Sequence, residues 1–267
     1  MESSIKAAAS DHPYLDANLL RVVRDPANTG VLESLLDRAE GLVKDLKVEK
    51  KRFWSSPHVD RDEVGDIYSE AAEGVERITA RTATRPPRLE GRWLRNFMAS
   101  PGHVGKGMFY VDKNRTIYHR LESRYVLSCA LGHEHVHHLQ AEANLNLKGR
   151  RRDIDEPPRR LDRIFLEGHA VAVEYDLSLL FAQRYDDPIF TANCRHNITR
   201  ALYQTYALHC DVNGLTRNDR GTVSEWVSGH RSIPDVYAIG IAAVFIQREK
   251  FGDDVVARML DGTHVFV

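Results

Sequence analysis

The stretch Leu131-Gly132-His133-Glu134-His135-Val136-His137-His138 decides how the chain is read. It holds four of the chain's 13 histidines within six residues, 133–138. On a helix each residue advances about 100°, so positions four apart lie about 40° from one another. His133 and His137 therefore present two imidazoles on one face, one turn apart, a spacing that suits a tetrahedral zinc ion. Glu134 lies about 100° round from His133, close enough to hold a water beside a metal and take its proton. His135 points to the opposite side, and His138, at about 140°, is poorly aimed. Val126 and Ala130 fall on the same side of the wheel as His133. The pair thus continues an apolar stripe, where unpaired imidazoles would be costly and a metal would remove that cost.

Outward from this segment, Arg124 to about Leu147 keeps a helical apolar pattern that ends before Gly149. Upstream, Met108–Val111 and Thr116–His119 flank Asp112-Lys113-Asn114-Arg115, which predicts a β-hairpin. Residues 31–52 and 60–82 read as two helices, the first strongly amphipathic, and residues 1–30 hold no long pattern. Thr84-Arg85-Pro86-Pro87 is the best internal boundary. It separates an N-terminal helical segment, 1–84, from a domain spanning 85–267. The N-terminal segment is expected either to extend the core or to regulate access to a cleft. Downstream, 148–160 is a charged, proline-bearing connector, and helices follow at 160–184 and roughly 195–210. A last helix is opened by Pro234-Asp235 and runs to Phe251-Gly252. The fold class expected is α+β, mainly α, with a small β element before the histidine helix.

A catalytic zinc usually has three protein ligands and one open position. On the helix 160–184, Glu167 shares a face with Ile164, Val171, Glu174, Ser178 and Phe181. A carboxylate on so apolar a stripe needs a cation, a donor network or a proton. Zinc would satisfy it; an arginine such as Arg163 is the competing partner. Glu174, two turns on, is placed to accept a hydrogen bond from a ligating imidazole. His169 points away from Glu167 and reads as packed or exposed. Tyr237 sits in the first turn of the last helix, on a face continued by the small or apolar Gly240, Ile241 and Val244. A phenol on such a stripe needs a hydrogen-bond partner, which an oxyanion or a backbone carbonyl would supply.

Taken together, HExxH at 133–137, the EGxAxxxE-like run at 167–174 and the YxxG helix at 237–240 resemble the gluzincin metallopeptidases. The likeness is to the aminopeptidase-N-like and small single-domain branches, and it covers roughly residues 88–260. It implies a zincin-like catalytic domain with one zinc per chain, held by His133, His137 and Glu167. It further implies Glu134 as general base, Tyr237 assisting the transition state, and the 108–119 hairpin as the edge that holds an extended peptide or protein substrate. The chain departs from the family in having 29 residues between His137 and Glu167 and no GxMEN-like segment, so aminopeptidase specificity does not carry over. A non-catalytic, zinc-stabilised helical binding module is the alternative; it leaves Glu134 without a purpose.

Charge and cysteine usage narrow the remaining classes. Lys plus Arg is 37 and Asp plus Glu is 38, a net charge of −1. That balance disfavours nucleic acid or an anionic membrane as partner. The longest nearly uninterrupted apolar run, Tyr237–Ile246, is far short of the roughly 20 residues of a spanning helix. No secretory h-region follows the N-terminus. The widely spaced Cys129, Cys194 and Cys210 read as reduced thiols of a cytoplasmic protein, with Cys129 a core residue.

Overall fold

The computed structural model describes residues 17–39, 59–92, 107–110, 114–119, 123–148, 160–217 and 235–260. Helices dominate. In chain order they are α1 (Ala17–Arg24), α2 (29–39), α3 (Val64–Thr79), α4 (Arg124–Lys148), α5 (Arg160–Arg184), α6 (Ala192–Asn213), α7 (Asp235–Phe251) and α8 (Val255–Leu260). Short 3₁₀ turns at Pro26–Asn28, Arg61–Glu63 and Pro188–Thr191 lead into α2, α3 and α6. Three strands, β1 (Arg88–Arg92), β2 (Gly107–Tyr110) and β3 (Arg115–His119), form one sheet in the order β1-β3-β2. The expected class, mainly α with a small β element ahead of the histidine helix, is what forms.

The expected hairpin forms, with β2 and β3 antiparallel, but its register is shifted: Tyr110 lies opposite Arg115 and Gly107 opposite Tyr118, so Arg115, expected in the turn, belongs to the strand. Strand β1 was not anticipated. Its sequence, RLEGR, has one apolar residue and a glycine, and its extended form comes from parallel pairing with β3. The Arg115–Glu90 ion pair at 2.6 Å bridges the two strands. Two helices were missed as well. Helix α1 lies in the stretch 1–30 that carried no long pattern, and the six-residue α8 follows Gly252, whose φ of +86° breaks the chain direction after α7. The N-terminal amphipathic helix is observed over 29–39; the rest of its expected span, and the connector 149–159, lie outside the described residues.

Helix α7 is the axis of the core. Every residue from Ala238 to Ile246 is buried, Gly240 as backbone packed on backbone. A helix apolar all round must be covered on all sides, and α5, α6, α1 and α8 surround it. Helices α3, α4 and α5 make a second layer. Val22, Val23, Leu32, Leu35 and Leu36 share one cluster with Ala71 and Val75 of α3 and with core residues of α4 to α8. Helices from both sides of Pro86-Pro87 thus bury a common core.

Glycines permit close helix approach at two places among the described residues. A Cβ on Gly168 of α5 would lie 2.3 Å from the carbonyl oxygen of Gly240, so α5 and α7 touch backbone to backbone. Between α3, α4 and α5, the side chain of Leu177 wedges against two glycines: a Cβ on Gly132 would lie 2.2 Å from its Cδ2, and one on Gly74 2.4 Å from its Cδ1. Gly132 directly precedes His133, so this contact fixes how near the histidine helix comes to α5. No helix among the described residues is long and apolar enough to cross a membrane.

Candidate metal centre

Helices α4 and α5 bring His133, His137 and Glu167 together. The two Nε2 atoms are 3.1 Å apart, His133 Nε2 is 3.3 Å from Glu167 Oε2, and His137 Nε2 is 3.6 Å from the same oxygen. With zinc bonds of roughly 2.0–2.2 Å, ligand atoms of a tetrahedral site are spaced about 3.3–3.6 Å. Two sides of the observed triangle fall in that range, and the third, between the two Nε2 atoms, is slightly shorter. All three residues are partly buried.

The hydrogen-bond network assigns the tautomers. Residue His169 is fully buried, and its Nε2 faces the carbonyl of Val256 at 2.9 Å, so Nε2 carries the proton and Nδ1 is an acceptor. That acceptor, together with the carbonyl of Leu166, receives the Gln140 amide nitrogen, each at 2.9 Å. The Gln140 amide is thereby oriented, and its Oε1 accepts from His137 Nδ1 at 2.8 Å. His137 is thus protonated on Nδ1 and turns a lone pair at Nε2 toward the triangle. Glu174 does the same for His133: its Oε2 lies 2.9 Å from His133 Nδ1.

Two imidazole lone pairs and a carboxylate oxygen facing one another require a cation between them, either a proton or a metal ion. The protonation energetics agree. Burial works to lower the His133 pKa, but hydrogen bonds to Glu167 and Glu174 outweigh it and hold His133 well above the usual histidine value. Burial likewise opposes the charge on Glu167, yet His133 and His137 keep its carboxyl far below the ordinary carboxylate range. The donor set and its oriented nitrogens fit zinc.

The other expected residues fall as follows. Glu134 is 8% exposed and adjoins His133 on α4. Tyr237 is half-buried in the first turn of α7, one turn before Gly240, and Gly240 packs on the residue after Glu167. The crossing therefore brings the Tyr237 end of α7 toward the Glu167 level of α5. His135 faces α3, as its position on the wheel demands. Its Nδ1 meets the Tyr68 hydroxyl at 2.9 Å, its Nε2 lies 3.3 Å from Glu76 Oε1, and burial pushes its pKa down to about 4. His138 turns to Glu142, at 3.3 Å.

Sequence reasoning missed Gln140 and the structural part of His169. Gln140 is three residues after His137, one turn along the helix, and that spacing is the signal available for it. The route through His169 to Val256 of α8 joins residues 87 positions apart, and no local pattern predicts it. Compared with protein-family models, curated proteins and solved structures, the chain matches none.

Proposed function

We propose that the protein is a zinc-dependent peptidase of gluzincin type, with His133, His137 and Glu167 as ligands and Glu134 as general base. The observation that carries this is the convergence of two Nε2 lone pairs and one carboxylate oxygen at zinc-like separations, with both opposite ring nitrogens committed to Glu174 and Gln140. A metal held there supplies Lewis acidity toward a water and a scissile carbonyl. The chain's own groups do the rest. Glu134 takes the proton of the attacking water and delivers it to the leaving amine. The Tyr237 hydroxyl donates to the oxyanion, an interaction present only in the transition state. Glu174 and Gln140 hold the two imidazoles in the tautomer that leaves Nε2 free to ligate. Strand β2 is an edge of the sheet and packs beside α4, so an extended peptide pairing with it would run past the site.

Elemental analysis tests the ligand set. The purified protein should carry one zinc at this site, strongly reduced in His137→Ala and Glu167→Ala; full retention in Glu167→Ala would displace the third ligand and the gluzincin reading with it. Glu134→Gln keeps shape but cannot take a proton. It should retain the metal and lose about 10²–10⁴-fold in cleavage of a mixed peptide library. Equal inertness of wild type and variant across that library would leave a zinc-stabilised binding module instead.

A further inference from the structure

On the far side of Glu174 from His133 lies a second group of metal-binding side chains. Cys129 of α4, Glu174 of α5 and Cys194 of α6 place two Sγ atoms and a carboxylate oxygen within 4.8 Å of one another. Cys194 Sγ is 3.3 Å from Glu174 Oε1, and Cys129 Sγ is 3.6 Å from the carbonyl oxygen of Phe190. The two cysteines are 2% and 1% exposed. They lie 65 positions apart in sequence, and three helices converge to join them. The hydrolytic reaction proposed above uses neither thiol.

We propose that Cys129, Cys194 and Glu174 form a second, closed site for a thiophilic divalent ion of the zinc or cadmium class, with the Phe190 carbonyl as the fourth donor. Ligand spacings follow from bond lengths of about 2.3 Å to sulfur and 2.0–2.2 Å to oxygen, which put sulfur and oxygen donors roughly 3.5 Å apart. The 3.3 Å and 3.6 Å separations fit. Soft thiolates select such ions over magnesium or calcium. Binding releases the two thiol protons to solvent and needs no oxidant. The ion offsets two of the three negative charges it gathers. Glu174 uses Oε1 for this ion while Oε2 keeps its hydrogen bond to His133 Nδ1. The two centres share one carboxylate and no ligand to the first metal, so the second ion is structural and tunes the orientation of His133 through Glu174.

The test is titration of the metal-free full-length protein with Cd²⁺ alone, in a phosphine reductant that keeps all thiols reduced. Two equivalents should bind, one of them giving the near-ultraviolet thiolate-to-cadmium absorption. That absorption and one equivalent should vanish in Cys129→Ser and Cys194→Ser, and both should persist in Cys210→Ser. His133→Ala with His137→Ala should remove the other equivalent and keep the absorption. Cadmium-113 NMR of the wild type, which needs no variant, should show one resonance shifted by sulfur and one typical of nitrogen and oxygen donors. Absence of the sulfur-shifted resonance, or absorption that survives loss of both Cys129 and Cys194, overturns the second site and leaves the peptidase reading standing. A sulfur-shifted resonance alone would do the reverse. Finding one free thiol in place of three in unreduced, denatured protein would also overturn it, because the pair would then be a disulfide.

Discussion

Replacing Gly168 with alanine tests whether backbone contact between α5 and α7 builds the site. The new Cβ would meet Gly240 O at 2.3 Å, Gly240 C at 2.4 Å and Ile241 N at 3.0 Å. None of these atoms belongs to a side chain that can rotate away. To restore ordinary contact, α7 must retreat by roughly 1 Å along much of its length. Overpacking of this kind costs about 1–3 kcal/mol, and the better helix propensity of alanine returns about 0.5–1 kcal/mol. Since all three contacts are backbone, the upper part of that cost, about 2–3 kcal/mol, applies, and the expected net loss is about 1–2.5 kcal/mol, or a Tm lower by about 2–4 °C for each kcal/mol in a chain of this size. Gly132→Ala is the internal comparison. Its Cβ meets Leu177 Cδ2 at 2.2 Å, Val75 Cγ2 at 3.6 Å and Leu177 Cγ at 3.7 Å, all of them side-chain atoms and none of them backbone. Its stability should stay within about 1 kcal/mol of wild type. The functional effects should separate in the opposite sense. Gly132→Ala displaces the Leu177 side chain in the gap between α4 and α5 beside His133, so it should weaken metal binding; Gly168→Ala moves α7, so it should lower kcat with metal retained. Urea unfolding of the metal-free proteins and metal competition against a chromophoric chelator would measure both. If Gly168→Ala is as stable as wild type, or no less stable than Gly132→Ala, the backbone crossing does not have the role assigned to it.

Gln140→Leu strands His137 Nδ1, His169 Nδ1 and the Leu166 carbonyl; metal affinity should fall about 10–100-fold, and competition titration showing unchanged affinity would remove Gln140 from the site. Tyr237→Phe deletes one hydroxyl, so kcat should fall about 10²–10³-fold with metal content and KM held; an unchanged kcat with a stability loss of about 1 kcal/mol would make Tyr237 structural. His135 and His169 are buried and each pushed down to about 4, so the unfolded chain binds more protons below pH ~6.5. The stability these two histidines contribute should therefore be full above pH ~6.5 and be lost as pH falls toward 4, by up to about 1.4 kcal/mol per pH unit for each; denaturant midpoints that stay flat from pH ~6.5 to ~4.5 would contradict this.

Helical geometry alone put His133 and His137 on one face and His135 on the other, because a spacing of four residues is a property of the helix and not of its surroundings. The same local rule located α4, α5, the start of α7 and the hairpin, all of which carry strong apolar periodicity or paired turn signals. It also marked Glu167 as a carboxylate on an apolar stripe. It left open whether Arg163 or the histidines would meet it, since that depends on which helix packs against α5. Tertiary packing answered through small contacts: Leu177 between Gly74 and Gly132 sets the gap across which Glu167 and Glu174 reach His133. Strand β1 and the short helix α8 were invisible for the complementary reason, having too little pattern of their own and existing through β3 and α7. The tautomer of His137 rests on a chain of donors that ends at Val256, and the Cys129–Glu174–Cys194 group draws on three helices. Both are juxtapositions of residues distant in sequence, and hydrogen bonds and metal ligands depend on distance in space, which local periodicity does not encode.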